Sequence, residues 1–258
     1  MELLIIGNEI LIGKFQDTNS NWMAKRITEY GHRVSRIIVV PDEIAAISDT
    51  LKENLNRNPD IIIISGGLGP TFDDMTLQGV GTALHRELKV NEKAYDMVKS
   101  SYDKAVKSKI IVLKGMTPER EKMAILPENA IPLTNPQGTA PGVRLKEGNS
   151  EIYCLPGVPT EMKAIFKAEI LPVLKEKRGK FLEMGFYFSG IGESHVAPHV
   201  TKIEKKYPKL WIKTHPRIGL SEVELSITCF NVENGEQLAE KAIEELKKII
   251  VNLGGKIT

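Results

Sequence analysis

A glycine-rich segment, residues 65–76, contains the residue types that bind phosphate. It follows the apolar run Ile61–Ile64 and opens a predicted helix. Gly66, Gly67 and Gly69 lack Cβ atoms and permit positive φ angles, so backbone N–H groups can converge on an anion. The N-terminus of the following helix adds partial positive charge. The phosphate-binding candidates are therefore Gly66, Gly67, Gly69 and Thr71.

Four carboxylates are predicted to lie near this loop. Asp73 and Asp74 belong to it, and Glu9 and Asp17 follow the first predicted strand. Since the carboxyl ends of parallel strands meet at one edge of a sheet, these side chains can converge. Carboxylates repel a bare phosphate, so the combination indicates a bridging divalent cation, Mg²⁺, Mn²⁺ or Co²⁺. The alternative is that the acids only cap helices and favour their dipoles.

Two further loops combine glycine with proline, which makes stiff segments whose backbone can approach a ligand closely. One follows the fourth predicted strand and the other follows the fifth. Both could instead be ordinary connections between elements. Their binding candidates are Asn135, Gly138, Thr139, Pro141, Gly142, Pro156 and Gly157.

The segment is neither of two common nucleotide-binding motifs. No Gly-Lys-Ser/Thr sequence closes it, so it is not a Walker A loop, and its glycine spacing does not fit the Gly-x-Gly-x-x-Gly fingerprint. Both the ATPase and the Rossmann dehydrogenase interpretations are weakened.

The elements that position these loops alternate short β-branched runs with amphipathic helical patterns, which is typical of parallel strands joined by crossover helices. Ile61–Ile64 is apolar on both faces and belongs at the sheet centre. We predict an α/β fold of three layers with a parallel or mostly parallel sheet. The predicted strands are Leu3–Ile6, Val34–Val40, Ile61–Ser65, Ala130–Leu133 and Ile152–Leu155.

Helices are predicted between these strands from apolar periodicity and capping residues. Thr18 is the predicted N-cap of the first helix, and Thr117 with Pro118 opens a short one. The charged run 175–180 is interpreted as a solvated linker. The helices expected after the first are 43–56, a segment ending at Leu84, 92–107, 118–124 and 159–177.

The sequence predicts two domains, residues 1–177 and 181–258. The second is expected to be a smaller α+β domain with the order strand, helix, two strands around a turn at 216–221, and helix. Its lysine cluster, which includes Lys202 and Lys213, comes without a Gly-x-x-Gly clamp or stacked aromatic residues, so nucleic acid is not an expected partner.

Composition excludes several classes of protein. The 258 residues carry 35 Lys+Arg against 33 Asp+Glu, so a near-neutral charge argues against wholesale nucleic-acid binding. The longest apolar runs are far shorter than the roughly 20 residues of a membrane span, and the N-terminus lacks signal-peptide features, so we expect a cytoplasmic protein. Cys154 and Cys229 are expected to be buried thiols.

The ordered motifs resemble those of the CinA (competence/damage-inducible protein) family over roughly residues 1–177. The large domain of that family is similar to the molybdopterin-binding proteins of molybdenum-cofactor biosynthesis. Many members have Asp where this chain has Asn8, which leaves Glu9 as the better metal ligand. The matching motifs are Gly7–Leu11, Asp17–Asn19, Gly66–Thr76, Asn135–Gly142, Leu155–Met162 and, in the second domain, Ser189–Ser194.

The resemblance implies a metal-dependent pyrophosphatase that converts ADP-ribose to AMP and ribose 5-phosphate, with FAD as a related substrate. NAD and CoA are further compounds that the sequence leaves open as substrates. Asp73 or Asp74 would act as general base or metal ligand, together with Glu9. Asp17 and Asn19 would contact ribose hydroxyls, and Asn135 with Gly138–Gly142 would line the nucleotide side. Lys122 is a weaker candidate for a phosphate counter-charge.

Two alternatives stay open at this point. The same pocket could hold molybdopterin and support adenylylation of its phosphate, or the protein could be a non-catalytic nucleotide-binding regulator. The family also implies a homo-oligomer, a dimer or trimer, with the second domain serving oligomerisation or covering the pocket. Longer CinA proteins carry a nicotinamide-nucleotide amidase domain, which is not expected in a chain ending at Thr258.

Overall fold

A computed structural model describes residues 1–109, 115–217 and 219–258. The chain divides into two compact units, residues 1–27 with 33–177 and residues 28–32 with 178–258. Within the described residues, no helix is both long and apolar enough to cross a bilayer.

The first unit is an α/β structure. Its strands are β1 (Glu2–Ile6), β2 (Arg36–Val40), β3 (Ile61–Ser65), β4 (Leu88–Val90), β5 (Ile125–Pro127), β6 (Ile131–Leu133), β7 (Gly142–Glu147) and β8 (Ser150–Leu155). Its helices are α1 (Asn8–Leu11), α2 (Thr18–Glu29), α3 (Ile44–Asn56), α4 (Thr76–Leu84), α5 (Glu92–Lys107), α6 (Pro118–Lys122), α7 (Pro159–Ile165) and α8 (Leu171–Glu176), with a π-helical segment, Phe166–Ile170, joining the last two.

The main sheet has the strand order β2-β1-β3-β8-β7-β6. β1, β2, β3 and β8 are parallel, whereas β7 is antiparallel to both of its neighbours. β6 therefore runs in the same direction as β8, and β7 alone is reversed. The predicted fold class, a mostly parallel sheet in an α/β unit, is confirmed.

Helices cover both faces of this sheet because its central strands are apolar on both sides. Leu4 and Ile64 belong to the same buried cluster as Leu51 of α3 and Val80 of α4. Successive side chains of a strand point to opposite faces, so Ile63 faces the other layer. There the ring of Trp22 on α2 contacts the ring of Phe166 edge-on, with centroids 5.3 Å apart.

Most predicted elements are confirmed to within a residue or two, but one predicted cap was wrong, and the short elements α1, β4, β5 and, in the second unit, β12 (Lys256–Ile257) were not predicted. Thr18 is the first residue of α2 and not its cap, because the Asp17 carboxylate accepts the Ser20 N–H at 2.9 Å and so fills that role. The strand β7 was not predicted, and Gly142 is its first residue. Thr117 caps α6 as expected, accepting from the Arg120 N–H.

The second unit is α+β, which confirms the prediction. Its sheet has the antiparallel order β10-β11-β9-β12, and its helices bury Val196 and Leu246 against one face. The predicted turn at 216–221 includes residue 218, which lies outside the described residues. The elements are β9 (Phe181–Ser189), α9 (Glu193–Lys206), β10 (Trp211–Arg217), β11 (Glu222–Phe230), α10 (Gly235–Asn252) and β12 (Lys256–Ile257).

Both cysteines are buried and free, as predicted. Burial raises the pKa of the Cys154 thiol to about 12, so it stays protonated at neutral pH and is inert as a nucleophile.

Replacing Phe166 by alanine should destabilise the first unit by about 3–5 kcal/mol, because a fully buried aromatic ring leaves a cavity that the helical layer cannot close. Denaturant unfolding followed by circular dichroism measures this change. Phe72→Ala is the matched control: Phe72 is 87% exposed, so the same substitution should cost less than about 0.5 kcal/mol. Equal losses in the two variants would contradict the assigned packing.

Candidate functional site

A cleft of about 700 Å³ opens at the carboxyl edge of the main sheet. The segments that follow β1, β3 and β8 form it, with a contribution from the loop after β6. Of the predicted site residues, those that line it are Glu9, Asp17, Asn19, Gly67, Gly69, Asp74, Thr139, Pro156 and Gly157. The other predicted residues, all of them described, lie outside the lining: Gly66, Thr71, Asp73, Asn135, Gly138, Pro141 and Gly142.

Gly66 fixes the start of the glycine-rich loop. Its φ is +117°, and a Cβ at this position would overlap the backbone carbonyl oxygen of Ile6 in β1. Its N–H donates to the Leu155 carbonyl in β8 at 3.0 Å. The Thr76 hydroxyl donates back to the Gly66 carbonyl at 2.7 Å, so the loop is closed onto the first turn of α4.

The part of this loop that faces the cleft carries unpaired backbone donors. Among the described residues, the N–H groups of Gly67, Leu68 and Gly69 have no hydrogen-bond acceptor, and all three residues line the cleft. Three consecutive free N–H groups at the end of a central parallel strand are suited to an anionic ligand group.

Thr71 ties together the two aspartates of the loop. Its N–H donates to Asp74 Oδ2 at 2.8 Å. Its hydroxyl oxygen lies 2.5 Å from Asp73 Oδ1 and 2.6 Å from Asp74 Oδ2, and its single proton serves one carboxylate at a time. The hydroxyl hydrogen bond, and to a smaller extent Lys122, lowers the pKa of Asp73. Asp73 is exposed and outside the cleft, whereas Asp74 lines it.

Lys122 holds the same loop from the other side. Its ammonium group donates to the Thr71 carbonyl. It also lines a small cavity of about 40 Å³ together with Asp74 and Gln78. The structure therefore gives this lysine a loop contact, and its predicted role as a phosphate counter-charge stays a prediction.

Asp42 is an acid near the site that was not predicted from the sequence. It follows β2 at the same sheet edge, and its Oδ2 accepts the Asn8 N–H at 2.7 Å. Burial raises the pKa of Asp42, and the negative charges of Glu9, Asp73 and Asp74 raise it further. These four carboxylates thus share one electrostatic environment. Position after a neighbouring parallel strand was the signal that could have identified Asp42.

The acids do not form a complete metal centre by themselves. In the described parts of the chain, no three His, Cys, Asp or Glu side chains are grouped closely enough to hold a metal ion. Their oxygen donors are nevertheless of the type that Mg²⁺ and Mn²⁺ accept. A divalent ion here would need ligand phosphate oxygens to complete its coordination.

Asn19, in the first turn of α2, joins the end of β3 to the loop after β8. Its Nδ2 donates to the Ser65 hydroxyl at 3.1 Å and to the Gly157 carbonyl at 2.8 Å. Because a carbonyl can only accept, these contacts fix the orientation of the amide. Its Oδ1 is buried and has no donor among the described residues.

Asn135 and Gly138 lie against Glu161, whose position they help to fix. Asn135 Nδ2 donates to the Glu161 carboxylate at 2.6 Å, and a Cβ on Gly138 would overlap the same carboxylate. Glu161 lines the cleft although it was not among the predicted site residues. It belongs to the Leu155–Met162 motif, which was the available signal.

The apolar walls of the cleft were not predicted either. Three of the residues that form them belong to motifs identified in the sequence, in which their apolar side chains were not singled out, and the other two lie outside those motifs. The residues are Ile10, Phe15, Leu68, Met123 and Val158. Phe15 lines the cleft and is 61% exposed, and an aromatic ring suits a planar heterocycle.

Comparisons with known proteins agree with this fold. The family model described as "Probable molybdopterin binding domain" matches residues 2–176. A protein of Sulfurisphaera tokodaii is 42% identical over 99% of this chain and 97% of its own length, and one of Aeropyrum pernix is 38% identical over 99% and 95%. A crystal structure of "the protein CinA with unknown function" from Thermoplasma acidophilum is 37% identical with a TM-score of 0.60, covering 67% of this chain and 97% of that chain.

The predicted resemblance to molybdopterin-binding proteins is therefore confirmed, and the fold of the matched part is CinA-like. The described second unit adds a smaller antiparallel sheet to it.

Asp42→Asn should raise the melting temperature at pH 7. Its raised pKa means that the ionised form is disfavoured in the folded state, whereas the asparagine stays neutral and can still accept from Asn8. This penalty is present above the folded pKa and disappears as the pH falls below the unfolded value of about 3.9. Differential scanning fluorimetry between pH 7 and pH 4 should show the two melting temperatures converging.

Asp96→Asn provides the control for this series, because Asp96 is exposed on α5. It should leave the melting temperature unchanged at every pH. A lower melting temperature for Asp42→Asn at pH 7 would contradict the electrostatic account of the carboxylate group.

Proposed function

The chain belongs to the family of molybdopterin-binding domains, and from that premise we propose that its cleft binds a phosphorylated heterocyclic compound and hydrolyses its pyrophosphate bond. The proposed substrate is ADP-ribose, which water converts to AMP and ribose 5-phosphate. FAD, NAD and CoA share its adenosine diphosphate core and are related candidates. A divalent metal ion is the proposed cofactor.

One observation carries the proposal: unpaired backbone donors and carboxylates share a single cleft. Gly67, Leu68 and Gly69 offer N–H groups, while Glu9 and Asp74 offer oxygen atoms. The N–H groups favour an anion, and the carboxylates disfavour a bare one. A diphosphate bound together with a cation satisfies both sets of groups.

The chain's own groups divide the reaction between them. The N–H groups of residues 67–69 hold the phosphate that is attacked and stabilise the negative charge that grows on its oxygens. Asp74 accepts the proton of the attacking water. The water oxygen forms a new bond to phosphorus as the bridging P–O bond breaks, and the departing phosphate leaves as a monoester.

Asp74 suits this role better than Asp73. Thr71 orients Asp74 through its N–H, and Asp74 lines the cleft. Asp73 is exposed and lies outside the cleft, and the hydrogen bond from the Thr71 hydroxyl lowers its pKa. Its proposed contribution is electrostatic.

Glu9 is the proposed protein ligand of the cation, because Asp74 is assigned to the attacking water. The oxygen atoms of the Glu9 carboxylate match the preference of Mg²⁺ and Mn²⁺. When bound, the ion supplies charge neutralisation on the transferring and leaving oxygens. With few protein ligands, the ion would bind weakly without the substrate and tightly with it.

Molybdopterin is a second candidate ligand because the family model bears its name. A phosphorylated pterin has the same two parts, a planar heterocycle and an anionic group. The apolar walls, which include Phe15 and Met123, accommodate either ring. Retention of a pterin by the purified protein, without release of AMP from any dinucleotide, would favour this candidate.

Purified protein with Mg²⁺, Mn²⁺ or Co²⁺ should release AMP from ADP-ribose, and EDTA should abolish the release. Asp74→Asn should lower kcat by about 100-fold or more, because it removes the proton acceptor. Asp73→Asn should lower it by less than about tenfold, because this side chain lies outside the cleft. Chromatographic quantification of AMP, with FAD, NAD and CoA assayed in parallel, measures both changes.

The folded state of each variant is checked by its melting temperature. Binding of nucleotide without AMP release from any of the four substrates, with every metal tested, would refute the hydrolase proposal. A larger loss for Asp73→Asn than for Asp74→Asn would exchange the two assigned roles.

A further inference from the structure

Glu161 is a cleft residue whose carboxylate is held in place by a hydrogen bond from the protein. It stands in the first turn of α7, just after the loop that follows β8, and it is partly buried. One carboxylate oxygen, Oε2, accepts from Asn135 Nδ2 at 2.6 Å. No hydrogen bond to Oε1 occurs among the described residues. One oxygen is therefore held by the protein, and the other is available to a ligand.

The loop after β6 is organised around this carboxylate. Asn135 also donates to the Ala140 carbonyl at 2.8 Å and accepts the Gln137 N–H at 3.1 Å, so its amide orientation is fixed. Gly138 lies so close to Glu161 that any side chain there would overlap the carboxylate. Within this loop, Asn135 and Gly138 support Glu161, whereas Thr139 and Ala140 line the cleft themselves.

A second acceptor without a partner in the described parts of the chain belongs to Asn19, another residue that lines the cleft. The Oδ1 atom of Asn19 is buried without a donor among the described residues, while its Nδ2 is committed to Ser65 and Gly157. Gly157 lies in the loop between β8 and α7, two residues before α7 begins. Buried acceptors without donors are costly, so a ligand that supplies donors is favoured here.

The sheet order separates this acceptor-rich region from the other acids. Glu161 follows β8, on one side of the β3 loop, whereas Glu9 and Asp42 follow β1 and β2 on the other side. The β3 loop with its free N–H groups lies between them. The cleft is therefore built for a ligand with an anionic group at the loop and hydrogen-bond donors towards β8.

We propose that Glu161 is a specificity-determining residue that accepts a hydrogen bond from an exocyclic amine on the heterocycle of the ligand. This inference rests on the proposed function for the placement of the phosphate. The amine can be that of an adenine-type ring or that of a 2-amino-4-oxo ring, as in guanine and pterins. In the second case an adjacent ring N–H can reach the same carboxylate.

Isothermal titration calorimetry with three nucleotides tests the inference. The probes are AMP, GMP and purine riboside 5′-monophosphate, which is AMP without its amine. To wild-type protein, AMP or GMP should bind at least about tenfold more tightly than purine riboside 5′-monophosphate. Preference for AMP identifies an adenine-type ligand, and preference for GMP identifies the 2-amino-4-oxo type.

Substitutions assign this selectivity to the carboxylate. Glu161→Ala should reduce the affinity gap to within about twofold. Glu161→Gln should reduce it as well, because glutamine can still accept from Asn135 but then turns its NH₂ group towards the ligand amine. Glu176→Gln, at an exposed position at the end of α8, is the control and should keep the full gap.

Asn135→Asp tests whether Asn135 positions the Glu161 carboxylate. The substitution replaces the NH₂ group that donates to Glu161 by a second negative charge. The difference in affinity between AMP or GMP and purine riboside 5′-monophosphate should therefore shrink, although Glu161 itself is unchanged. Rescue in Asn135→Gln, which restores an NH₂ group, would separate positioning from general destabilisation. Melting temperatures of all variants monitor folding.

Three results would overturn the inference. The first is equal affinity of all three nucleotides for the wild type, and the second is a gap that persists in Glu161→Ala. Either one, accompanied by AMP release from ADP-ribose, leaves the proposed hydrolysis intact. The third is no binding of any of the three nucleotides, which would overturn the inference together with a nucleotide substrate.

Discussion

The close approach of two backbones at the carboxyl edge of the sheet is the constraint on which the site depends. At Gly66 the chain leaves β3 so near to the Ile6 carbonyl of β1 that only glycine fits, and its positive φ turns the next residues over the edge. Residues 67–69, whose N–H groups have no acceptor among the described residues, line the cleft just after this turn. The hydrogen bond from the Thr76 hydroxyl to the Gly66 carbonyl then joins the loop to α4, so β3, the loop and α4 are connected at this point.

Opposing charges around this unit explain its chemistry. Backbone donors favour an anion, while Glu9, Asp74 and the nearby Asp42 disfavour one. Burial raises the pKa of Asp42, and the neighbouring carboxylates raise it further. A cation bound with a diphosphate relieves the repulsion, so binding of metal and of substrate should be coupled. The acid on the β8 side is Glu161, and its proposed role is different. Asn135 donates to one of its carboxylate oxygens, which leaves the other oxygen for a neutral donor of the ligand. Carboxylates of one cleft are thereby assigned to different parts of the ligand.

Much of this could be predicted from the sequence because it depends on local pattern. The apolar run Ile61–Ile64 placed β3 at the sheet centre, and parallel topology brought the loops after β1 and β3 to one edge. Features that depend on tertiary contacts could not be predicted. β7 lacks the continuous apolar run that marked the central strands, and the role of Asn135 requires knowledge that Glu161, 26 positions away, lies beside it. Asp42 was missed although its place after β2, a neighbouring parallel strand, was an available signal.

The central claim is that the free N–H groups of Gly67, Leu68 and Gly69 bind the phosphate of the ligand. Titration of ¹⁵N-labelled protein with AMP and Mg²⁺, followed by amide resonances, tests it directly. We expect these three amides to shift downfield and to saturate with one common Kd. Saturable shifts of other cleft residues, such as Phe15 and Val158, with the three loop amides unmoved would contradict it.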